Sequence, residues 1–515
     1  NLYPERDAVV CGATRYTYAQ FNERANRLAN ALAGLGVGKG DRVALLAPNN
    51  HRFLECFYGV TAIGAVLVPL NYRLVPSDFI YIVNHAEATA FIIDDELTAI
   101  ADEIRPELRG VRHFISWSDA GGAAGADWLD YEALLARANP GAPPDPGLGE
   151  NDLATLNYTS GTTARPKGVM MTHRNLYANA LNFIMHLEVT QADSILHTLP
   201  MFHANGWGSP FAVTAMGGRH VVLRKVEATA IFELIERERV TLACMAPAVL
   251  ATILIYPDKA NHRIATTPRL VVAGAPPPAA FIKQLQDELG WGFVQVYGLT
   301  ETSPFLTVSR LKPHQQGYPE DERIRIQDRA GMEMIGVELR VVDDQDRPVP
   351  MDDQTVGEVV TRGNVVLEGY WRQPEETAKV IVDGWFHTGD LATWDRERTI
   401  NIVDRKKDVI ISGGENISSI EVEDVLYKHP AVLECAVIGV PSERWGETVK
   451  ALVVLRAGME ATEADVIGHC RANMAHFKCP TSVDFVEGLP RTATGKLQKF
   501  VLRDKYWQGM TKRVN

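Results

Sequence analysis

Residues 153–168 read LATLNYTSGTTARPKG, an apolar run followed by a loop of small, hydroxyl-bearing and basic residues. The run at residues 153–156 is typical of a buried strand. In the loop, residues 159–168, glycine and small hydroxyl residues leave backbone N–H groups free to face an anion, and Arg165 and Lys167 add positive charge. This composition fits either a phosphate-binding loop or a flexible surface loop. It is not a P-loop, because the pattern GxxxxGK[ST] is absent.

On both sides of this loop, helix and strand patterns alternate along the chain. Thr17 to Gln20 fits a capping box. Apolar residues then recur at helical spacing, at Phe21, Ala25, Leu28 and Leu32. Strand-like runs lie at residues 43–47, 66–70, 90–93, 195–199, 221–224, 241–246, 270–273 and 293–296. Because helical segments separate these runs, the pattern predicts parallel sheets covered by helices.

The pattern changes after about residue 339. Short runs at residues 339–342, 358–361 and 399–403 lie between turns, as in a small antiparallel barrel. The charged segment 404–408 follows, and the rest of the chain mixes helical and strand patterns. The helical patterns lie near 419–429 and 462–474, and the strands at 436–440 and 450–455. The sequence therefore predicts an α/β fold, with a large domain over residues 1–404 and a small α+β domain after residue 408.

Length and charge limit the classes of function. A chain of 515 residues is too long for one hydrophobic core, so more than one domain is expected. The net charge of −12 argues against a nucleic-acid partner, because phosphate backbones require a basic face. A phosphate-bearing substrate would need a locally basic pocket. The six cysteines are scattered without a CxxC pair, which disfavours a metal site and fits a reducing compartment.

Targeting signals are the next feature of the sequence. The longest apolar candidate, around residues 59–70, is too short to span a bilayer and is interrupted by glycine, so we expect no integral membrane segment. There is no secretory-signal pattern, and we expect a cytoplasmic protein. The chain starts at Asn1 inside what resembles an entering loop, so we expect residues to precede it.

Four further motifs follow the loop in order. Residues 274–276 read GAP, 297–301 read YGLTE, 388–390 read TGD and 490–496 read PRTATGK. Together with TSGTTARPKG they resemble the signatures of the adenylate-forming superfamily, which comprises acyl-CoA synthetases, aryl-CoA ligases, luciferases and peptide-synthetase adenylation domains. The resemblance runs from about Tyr3 to about Lys505. It implies an ATP-dependent ligase that makes an acyl-adenylate and passes the acyl group to coenzyme A.

The resemblance also implies an ATP site. Tyr297 would stack on adenine, and Asp390, joined by Arg405, would accept hydrogen bonds from the ribose hydroxyls. Thr300 would reach the phosphates, and Glu301 would hold Mg²⁺ as a hard oxygen ligand. The remaining implied ligands are Thr159, which would share the metal, and Ser160, Gly161, Thr162, Thr163, Lys167, Gly274, Ala275, Pro276, Gln295 and Gly298.

The C-terminal motif implies a catalytic lysine and a moving domain. Lys496 would bridge the substrate carboxylate and the α-phosphate, where an ammonium offsets the charge that builds as one anion attacks another. Acetylation of Lys496 would remove that charge and is a hypothetical switch. In the family, the small domain, residues 409–515, swings about a hinge, here residues 405–408 with its pivot at Lys407. Asp404 stands where many relatives carry glycine, and we expect a slight effect on the hinge.

The resemblance implies a coenzyme A site on the small domain. Residues 411–417 read ISGGENI, and Gly413 and Gly414 would let the backbone approach the pantetheine arm. Trp445 resembles the tryptophan at the pantetheine tunnel. A partly buried surface tryptophan is the alternative.

The segment 200–207, PMFHANGW, is the most informative about the acid. His203 would pack near the substrate carboxylate, with a core histidine as the alternative, and Trp207 matches a position that gates the acyl tunnel in fatty acyl-CoA synthetases. The other expected acyl-site residues are Ala204, Phe211, Val296 and Gly298. No Asp stands in the segment to meet an α-amino group, and a buried cation without a partner would be costly. We therefore predict a carboxylic acid with an uncharged, apolar acyl chain of medium to long length. Ligases for short, branched, thioether or aryl acids remain the alternative.

Other functions share this scaffold. A luciferase-like oxygenase or an acyl-AMP ligase that loads a carrier protein is one class, but these 515 residues hold no carrier domain, and the glycine segment with Trp445 favours coenzyme A. A non-catalytic nucleotide-binding protein should have lost Lys496 or Glu301. We expect Mg²⁺ as cofactor and ATP and coenzyme A as co-substrates, and we leave a homodimer open.

Overall fold

The computed structural model describes residues 2–119, 125, 127–159, 165–274, 279–413, 415–442, 444–491 and 497–508. In this part of the chain the strands form four sheets, three in a large N-terminal domain and one in a small C-terminal domain. The α/β fold class predicted from the sequence is confirmed.

The strands of the large domain are β1 (Asp7–Cys11), β2 (Thr14–Thr17), β3 (Arg42–Leu46), β4 (Val66–Leu70), β5 (Ala88–Asp94), β6 (His113–Trp117), β7 (Leu129–Asp130), β8 (Leu153–Thr159), β9 (Lys167–Thr172), β10 (Ser194–His197), β11 (Arg219–Val222), β12 (Leu242–Met245), β13 (Arg269–Val272), β14 (Gly292–Gly298), β15 (Phe305–Val308), β16 (Met332–Glu333), β17 (Val337–Val342), β18 (Gly357–Gly363), β19 (Gly369–Tyr370), β20 (Ile381–Val382), β21 (Trp385–Trp394) and β22 (Ile400–Arg405). Those of the small domain are β23 (Ile410–Ser412), β24 (Glu415–Ile417), β25 (Val432–Ser442), β26 (Gly446–Leu455) and β27 (Ser482–Phe485).

The helices of the large domain are α1 (Tyr18–Gly34), α2 (His51–Ala62), α3 (Pro76–His85), α4 (Thr98–Ile104), α5 (Tyr131–Arg137), α6 (His173–His186), α7 (Ser209–Met216), α8 (Ala228–Arg237), α9 (Pro247–Ile255), α10 (Ala279–Gln284), α11 (Glu320–Gln327) and α12 (Pro374–Val380). The small domain carries α13 (Ser419–Leu426), α14 (Glu463–Asn473) and α15 (Lys499–Trp507). None of these described helices combines the length and the apolar character needed to cross a bilayer.

Two large sheets form the body of the N-terminal domain. One has the strand order β19-β9-β8-β4-β3-β5-β6-β7, and the other β16-β15-β14-β13-β12-β10-β11-β1-β2. Helix α1 begins with the predicted capping box at Thr17 and buries its apolar stripe. That stripe packs with α2, β3 and β5 in a core that also takes Met201 and Phe202 from the segment before α7. The segment 200–207, which the sequence predicts to contact the acid, is therefore anchored in this core.

The expectation of parallel sheets is wrong at the sheet edges. Strand β9 pairs antiparallel with β8, with Thr159 opposite Lys167, and β14 pairs antiparallel with β15. A parallel return needs a crossover of a dozen or more residues, and only residues 160–166 separate β8 from β9. Strands β8 and β9 therefore form an antiparallel pair on either side of the predicted phosphate loop, of which residues 160–164 lie outside the described residues.

The remaining strands match the two smaller units predicted from the sequence. Antiparallel strands β17, β18, β21 and β20 form one sheet, with β22 beside β21. Strands β24, β23, β26 and β25 form the sheet of the C-terminal domain, with β27 beside β26. Between the two units, β22 ends at Arg405 and β23 begins at Ile410. The polypeptide between the domains is therefore only four residues long.

Candidate active site

The first part of the site is the start of β9, where Lys167 opposes Thr159 across the hairpin. The Lys167 ammonium pairs with Glu376 at 2.5 Å and lies 5.0 Å from the centre of the Tyr370 ring. Hydrogen bonds from Lys167 and Lys379 lower the pKa of Glu376 to about 2. A fixed carboxylate and an aromatic face thus orient the lysine beside the loop. Ser160, Gly161, Thr162 and Thr163 lie outside the described residues.

Tyr370 connects this lysine to Glu301. Its hydroxyl donates to Glu301 Oε1 at 3.0 Å, and the Leu367 N–H donates to the Glu301 carbonyl at 2.8 Å. Burial and the nearby Glu301 carboxylate raise the pKa of Tyr370, so the hydroxyl remains a donor. The short strand β19 makes this possible, because it pairs with β9 and places Tyr370 opposite Val169. Sequence reasoning missed Tyr370, since no local pattern marks a two-residue strand, and it missed Glu376 on α12, since an acidic residue in a first helical turn is common.

Glu301 fits a Mg²⁺ ligand. Among the described residues, no group of three or more His, Cys, Asp or Glu side chains could enclose a metal ion. Mg²⁺ commonly takes one or two carboxylates and completes its shell with phosphate oxygens and water. One carboxylate held by Tyr370, with Thr159 at the end of β8, agrees with such a site.

Replacing Tyr370 with phenylalanine tests this arrangement. The variant keeps the ring beside Lys167 but removes the bond to Glu301, and a hydrogen bond to a charged group contributes about 1.5–3 kcal/mol. We expect the Mg²⁺ concentration for half-maximal pyrophosphate release to rise about tenfold, with the KM for the acid unchanged. Tyr177→Phe is the control, because Tyr177 is exposed on α6. An unchanged Mg²⁺ titration would contradict the assigned role of Tyr370.

Three residues predicted for the nucleoside come together. The Tyr297 hydroxyl donates to Asp390 Oδ2 at 2.8 Å, and Arg405 Nε lies 2.9 Å from Asp390 Oδ1. Asp390 and Arg405 are cross-strand neighbours on β21 and β22. Burial and Asp390 raise the pKa of Tyr297, and Asp390 raises that of Arg405. Among the described residues, Tyr297 and Arg405 each take one Asp390 oxygen, and a carboxylate oxygen can accept two bonds, so Asp390 can still accept bonds from two hydroxyl groups.

The residues around β14 include an open acceptor and two glycines. Gln295 is buried, and its Oε1 has no hydrogen-bond partner among the described residues. Such an acceptor fits an N–H donor on a ligand, for example an adenine amino group. Gly298 is required sterically, because a Cβ there would lie 1.7 Å from the Pro304 carbonyl oxygen. Gly274 has φ +100°, which other residues rarely adopt; Ala275 and Pro276 lie outside the described residues.

A small cavity lies beside these strands. Its lining residues are His203, Ala204, Trp207, Ala273, Gly274, Gly298, Leu299, Thr300, Pro304 and Phe305. Its volume is about 30 Å³, and a volume of about 10–15 Å³ suffices to hold one water molecule. Trp207 is 5% exposed and packs edge-on against Phe305, with ring centres 5.9 Å apart. Between the described side chains, the cavity is therefore small.

Two residues predicted for the acyl site are not among the described residues that line this cavity. Phe211 instead packs against Phe57 and Tyr58, with ring centres 5.4 and 5.9 Å apart. Val296 points into the core and is 2% exposed. Phe211 is one turn after Trp207 in sequence, but the chain reverses its backbone hand between them, and the acyl-site role of Phe211 stays a prediction. The lining residues Leu299, Pro304 and Phe305 were missed.

The C-terminal domain brings together two residues predicted for coenzyme A. Gly413 donates to the Trp445 carbonyl at 2.9 Å, and a Cβ on Gly413 would lie 2.8 Å from the indole ring. Trp445 is 47% exposed, and the Arg444 guanidinium lies 4.5 Å from its ring centre. An aromatic face thus rests on bare backbone at the surface. Gly414 lies outside the described residues, and the role in binding pantetheine stays a prediction.

Lys496 also lies outside the described residues. The residues that flank its segment, Arg491 and Leu497, form a bridge, and the Gln498 N–H donates to the Pro490 carbonyl at 2.8 Å. The Arg491 guanidinium also pairs with Glu434 on β25 at 2.9 Å, which fixes this end of the segment to the C-terminal domain. Lys407 lies in the short connection before β23, where burial lowers the pKa of its ammonium.

Comparisons with known proteins match the whole chain. The model of the AMP-binding enzyme family matches residues 1–371, and that of its C-terminal domain matches residues 421–496. A 4-hydroxybutyrate–CoA ligase of Metallosphaera sedula is 39% identical over 98% of this chain and 92% of its own. A long-chain-fatty-acid–CoA ligase of Thermus thermophilus is 38% identical over 96% and 90%. The solved structure of the anthranilate CoA ligase AuaEII with anthranoyl-AMP aligns with a TM-score of 0.88 at 27% identity, over 98% of this chain and 95% of that one.

Proposed function

This chain belongs to the AMP-binding enzyme family and is an AMP-forming acid–thiol ligase, and we propose that its substrate is a carboxylic acid with a short, uncharged acyl chain. The names of its relatives span 4-hydroxybutyrate, long-chain fatty acids and anthranilate, so they do not select one acid. The medium- to long-chain acid favoured by the sequence stays a prediction. The size of the cavity favours the shorter alternative.

The small cavity is the observation that carries the proposal. Trp207 and Phe305 line it, and both are almost fully buried. A long acyl chain would have to displace the Trp207 indole, which packs edge-on against Phe305, whereas a chain of about two to five carbons needs far less room. Among the described lining residues, none is Asp, Glu, Lys or Arg, which favours an uncharged acyl group.

The described side chains suit an adenylation step. An oxygen of the acid attacks the α-phosphorus of ATP, the bond to the bridging oxygen breaks, and pyrophosphate leaves. Lys167, steadied by Glu376, would offset charge on the departing phosphates, while Asp390 and Tyr297 would fix the nucleoside. Mg²⁺ held by Glu301 would add positive charge there. In the second step the sulfur of coenzyme A attacks the acyl carbon, its proton goes to solvent, and AMP leaves.

A screen of acids tests the proposal. Pyrophosphate release would be measured for straight-chain acids of graded length, with and without coenzyme A. We expect kcat/KM to be highest at about two to five carbons and to fall for longer acids. A maximum for long-chain acids would overturn the proposed substrate and leave the ligase activity intact. We also propose Mg²⁺ as the cofactor and a cytoplasmic location. Sedimentation would decide whether the protein forms a homodimer.

Trp207→Ala tests the wall of the cavity directly. Removing the indole opens space, so longer acids gain relative to short ones by about 1–3 kcal/mol in kcat/KM, while the KM for ATP stays the same. If Trp207 only fills the core, activity falls evenly over all acids and stability drops by about 3–5 kcal/mol. Thermal unfolding measured beside the chain-length profile separates these two outcomes.

A further inference from the structure

The backbone around Trp207 is unusual. Residues 204–208 all have left-handed φ values, from +42° to +78°, although three of them are not glycine. L-residues rarely adopt this conformation in succession, because Cβ crowds the following carbonyl. Such a segment persists only where its surroundings determine it. The contacts around the segment should therefore reveal what sets the position of Trp207.

Buried amide groups hold the segment at one end. Asn205 Nδ2 donates to Thr155 Oγ1 at 2.9 Å, and Asn157 Nδ2 donates to Asn205 Oδ1 at 3.1 Å. All three side chains are buried, and Thr155 and Asn157 lie on β8, the strand that leads into the phosphate loop. The segment is thus fixed to a rigid strand.

A single residue on α6 holds the other end. Asn179 is fully buried; its Nδ2 donates to the Trp207 carbonyl at 3.2 Å, and its Oδ1 accepts from the Phe305 N–H at 3.3 Å. Trp207 and Phe305 are the two aromatic walls of the cavity. One amide therefore joins the backbones of both walls, which are 98 positions apart in sequence.

Gly208 permits this close approach. It has φ +78°, and a Cβ at this position would lie 2.1 Å from Asn179 Nδ2. Any side chain at position 208 would therefore push the amide away from the Trp207 carbonyl. The hydrogen bond from Asn179 to the Trp207 carbonyl can thus be disturbed by a substitution at position 179 or at position 208.

We propose that Asn179 is a specificity-determining residue that acts through Trp207 and Phe305 and fixes the width of the acid cavity from outside it. With the amide in place, the two aromatic rings remain packed together and the cavity stays small. Without it, the left-handed segment can relax, the indole can move, and longer acids can enter. Asn179 is absent from the cavity lining, so it is a positioning residue. The proposal rests on the proposed function, in which this cavity holds the acyl group.

The test compares Asn179→Ala and Gly208→Ala with the unchanged protein over the same acids. We expect both variants to raise kcat/KM for hexanoate relative to propionate by about tenfold, as expected when one apolar contact in a pocket changes. The KM for ATP should stay the same. Asn175→Ala is the matched control: Asn175 is equally buried on α6, and its amide donates to the carbonyls of Asn364 and Val366 at 2.8 and 2.9 Å.

The outcomes separate this proposal from the proposed function. An unchanged hexanoate-to-propionate ratio in both variants, with a changed ratio in Trp207→Ala, would overturn the role of Asn179 alone. A shift of the same size in Asn175→Ala would also overturn it, because general loosening of α6 would explain the result. A preference of the unchanged protein for long acids would overturn the short-acid proposal. In that case, a hexanoate-to-propionate ratio that still changes in both variants would support the role of Asn179 in setting the width of the cavity. Gly208→Ala carries the test if Asn179→Ala does not fold.

Discussion

Replacing Lys407 with proline is expected to give a ligase that still releases pyrophosphate but forms acyl-CoA roughly a hundredfold more slowly, a loss typical of misplaced reacting groups. Lys407 lies between the end of β22 and the start of β23. Proline fixes its own φ near −65° and restricts the residue before it, so it removes freedom from a four-residue connection. The expected defect falls on the step that needs the C-terminal domain to move.

The contacts across this connection explain why the defect should be selective. Asp404 Oδ2 accepts bonds from both the N–H and the hydroxyl of Ser419 at 2.6 Å. Ser418 Oγ donates to the Val403 carbonyl at 2.5 Å, and Arg503 Nη1 donates to the Lys407 carbonyl at 2.9 Å. The bonds from Ser418 and Ser419 tie the last strand of the large domain to the start of α13, and the bond from Arg503 ties the connection to α15. A rotation has to break the bonds to Ser418 and Ser419, so any added stiffness favours the present arrangement.

Asp404 stands where many relatives carry glycine, and the slight effect on the hinge expected from the sequence stays a prediction. The carboxylate is buried, which raises its pKa, and it accepts the bonds from Ser419 that join the two domains. The pattern of residues could not reveal this, because Ser419 lies 15 positions further on and meets Asp404 only after the chain has folded back.

Three measurements test the proline variant. They are pyrophosphate release from acid and ATP, overall acyl-CoA formation, and acyl-CoA formation from supplied acyl-AMP. Lys407→Ala is the control and should be tolerated, because the connection needs backbone freedom more than a charge. Full turnover at the normal rate in the proline variant would refute a pivot at this position. Loss of all three activities would point to a damaged fold.

The sequence predicts best where one element is buried along its whole length. The run at residues 66–70 coincides with β4, and that at 43–47 with β3 to within one residue, because continuous apolar runs mark strands covered on both faces. Strands such as β9 and β19 were missed. Strand β19 has only two residues and is stabilised by pairing with β9, which no local pattern records. The residues that it positions, above all Tyr370, were missed for the same reason.

The candidate site also contains residues that the sequence predicts and residues that only the fold reveals. Tyr297, Asp390 and Arg405 were taken from separate motifs and lie in hydrogen-bonding contact. Motif residues carry a chemical signature, so they can be recognised individually. Asn179 and Phe305 have no such signature, since a buried asparagine or phenylalanine is common in any core. Only the fold brings them to Trp207.

Replacing Lys496 with alanine should have the opposite effect to the proline variant. We expect adenylation to fall by about two to three orders of magnitude, the loss typical when one preorganised positive group is removed from a developing charge. Acyl-CoA formation from supplied acyl-AMP should be largely kept, because a residue used in one transition state affects only that step. Pyrophosphate release and the acyl-AMP reaction would be measured separately. Lys478→Ala is the control, since Lys478 pairs with Glu421 in the same domain.

The two variants together test whether one domain serves both steps. The residues that flank the segment of Lys496, Arg491 and Leu497, pair with each other, and Arg491 also pairs with Glu434 on β25 of the C-terminal domain, so we expect the lysine to move with that domain. If the domain rotates after adenylation, Lys496 leaves the reacting carboxylate and is not needed for the second step. Lys407→Pro then keeps adenylation, which Lys496→Ala impairs. Lys496→Ala keeps thioester formation, which Lys407→Pro impairs. Equal losses in both half-reactions of Lys496→Ala would contradict its role in adenylation and, with it, the reason for the domain to move.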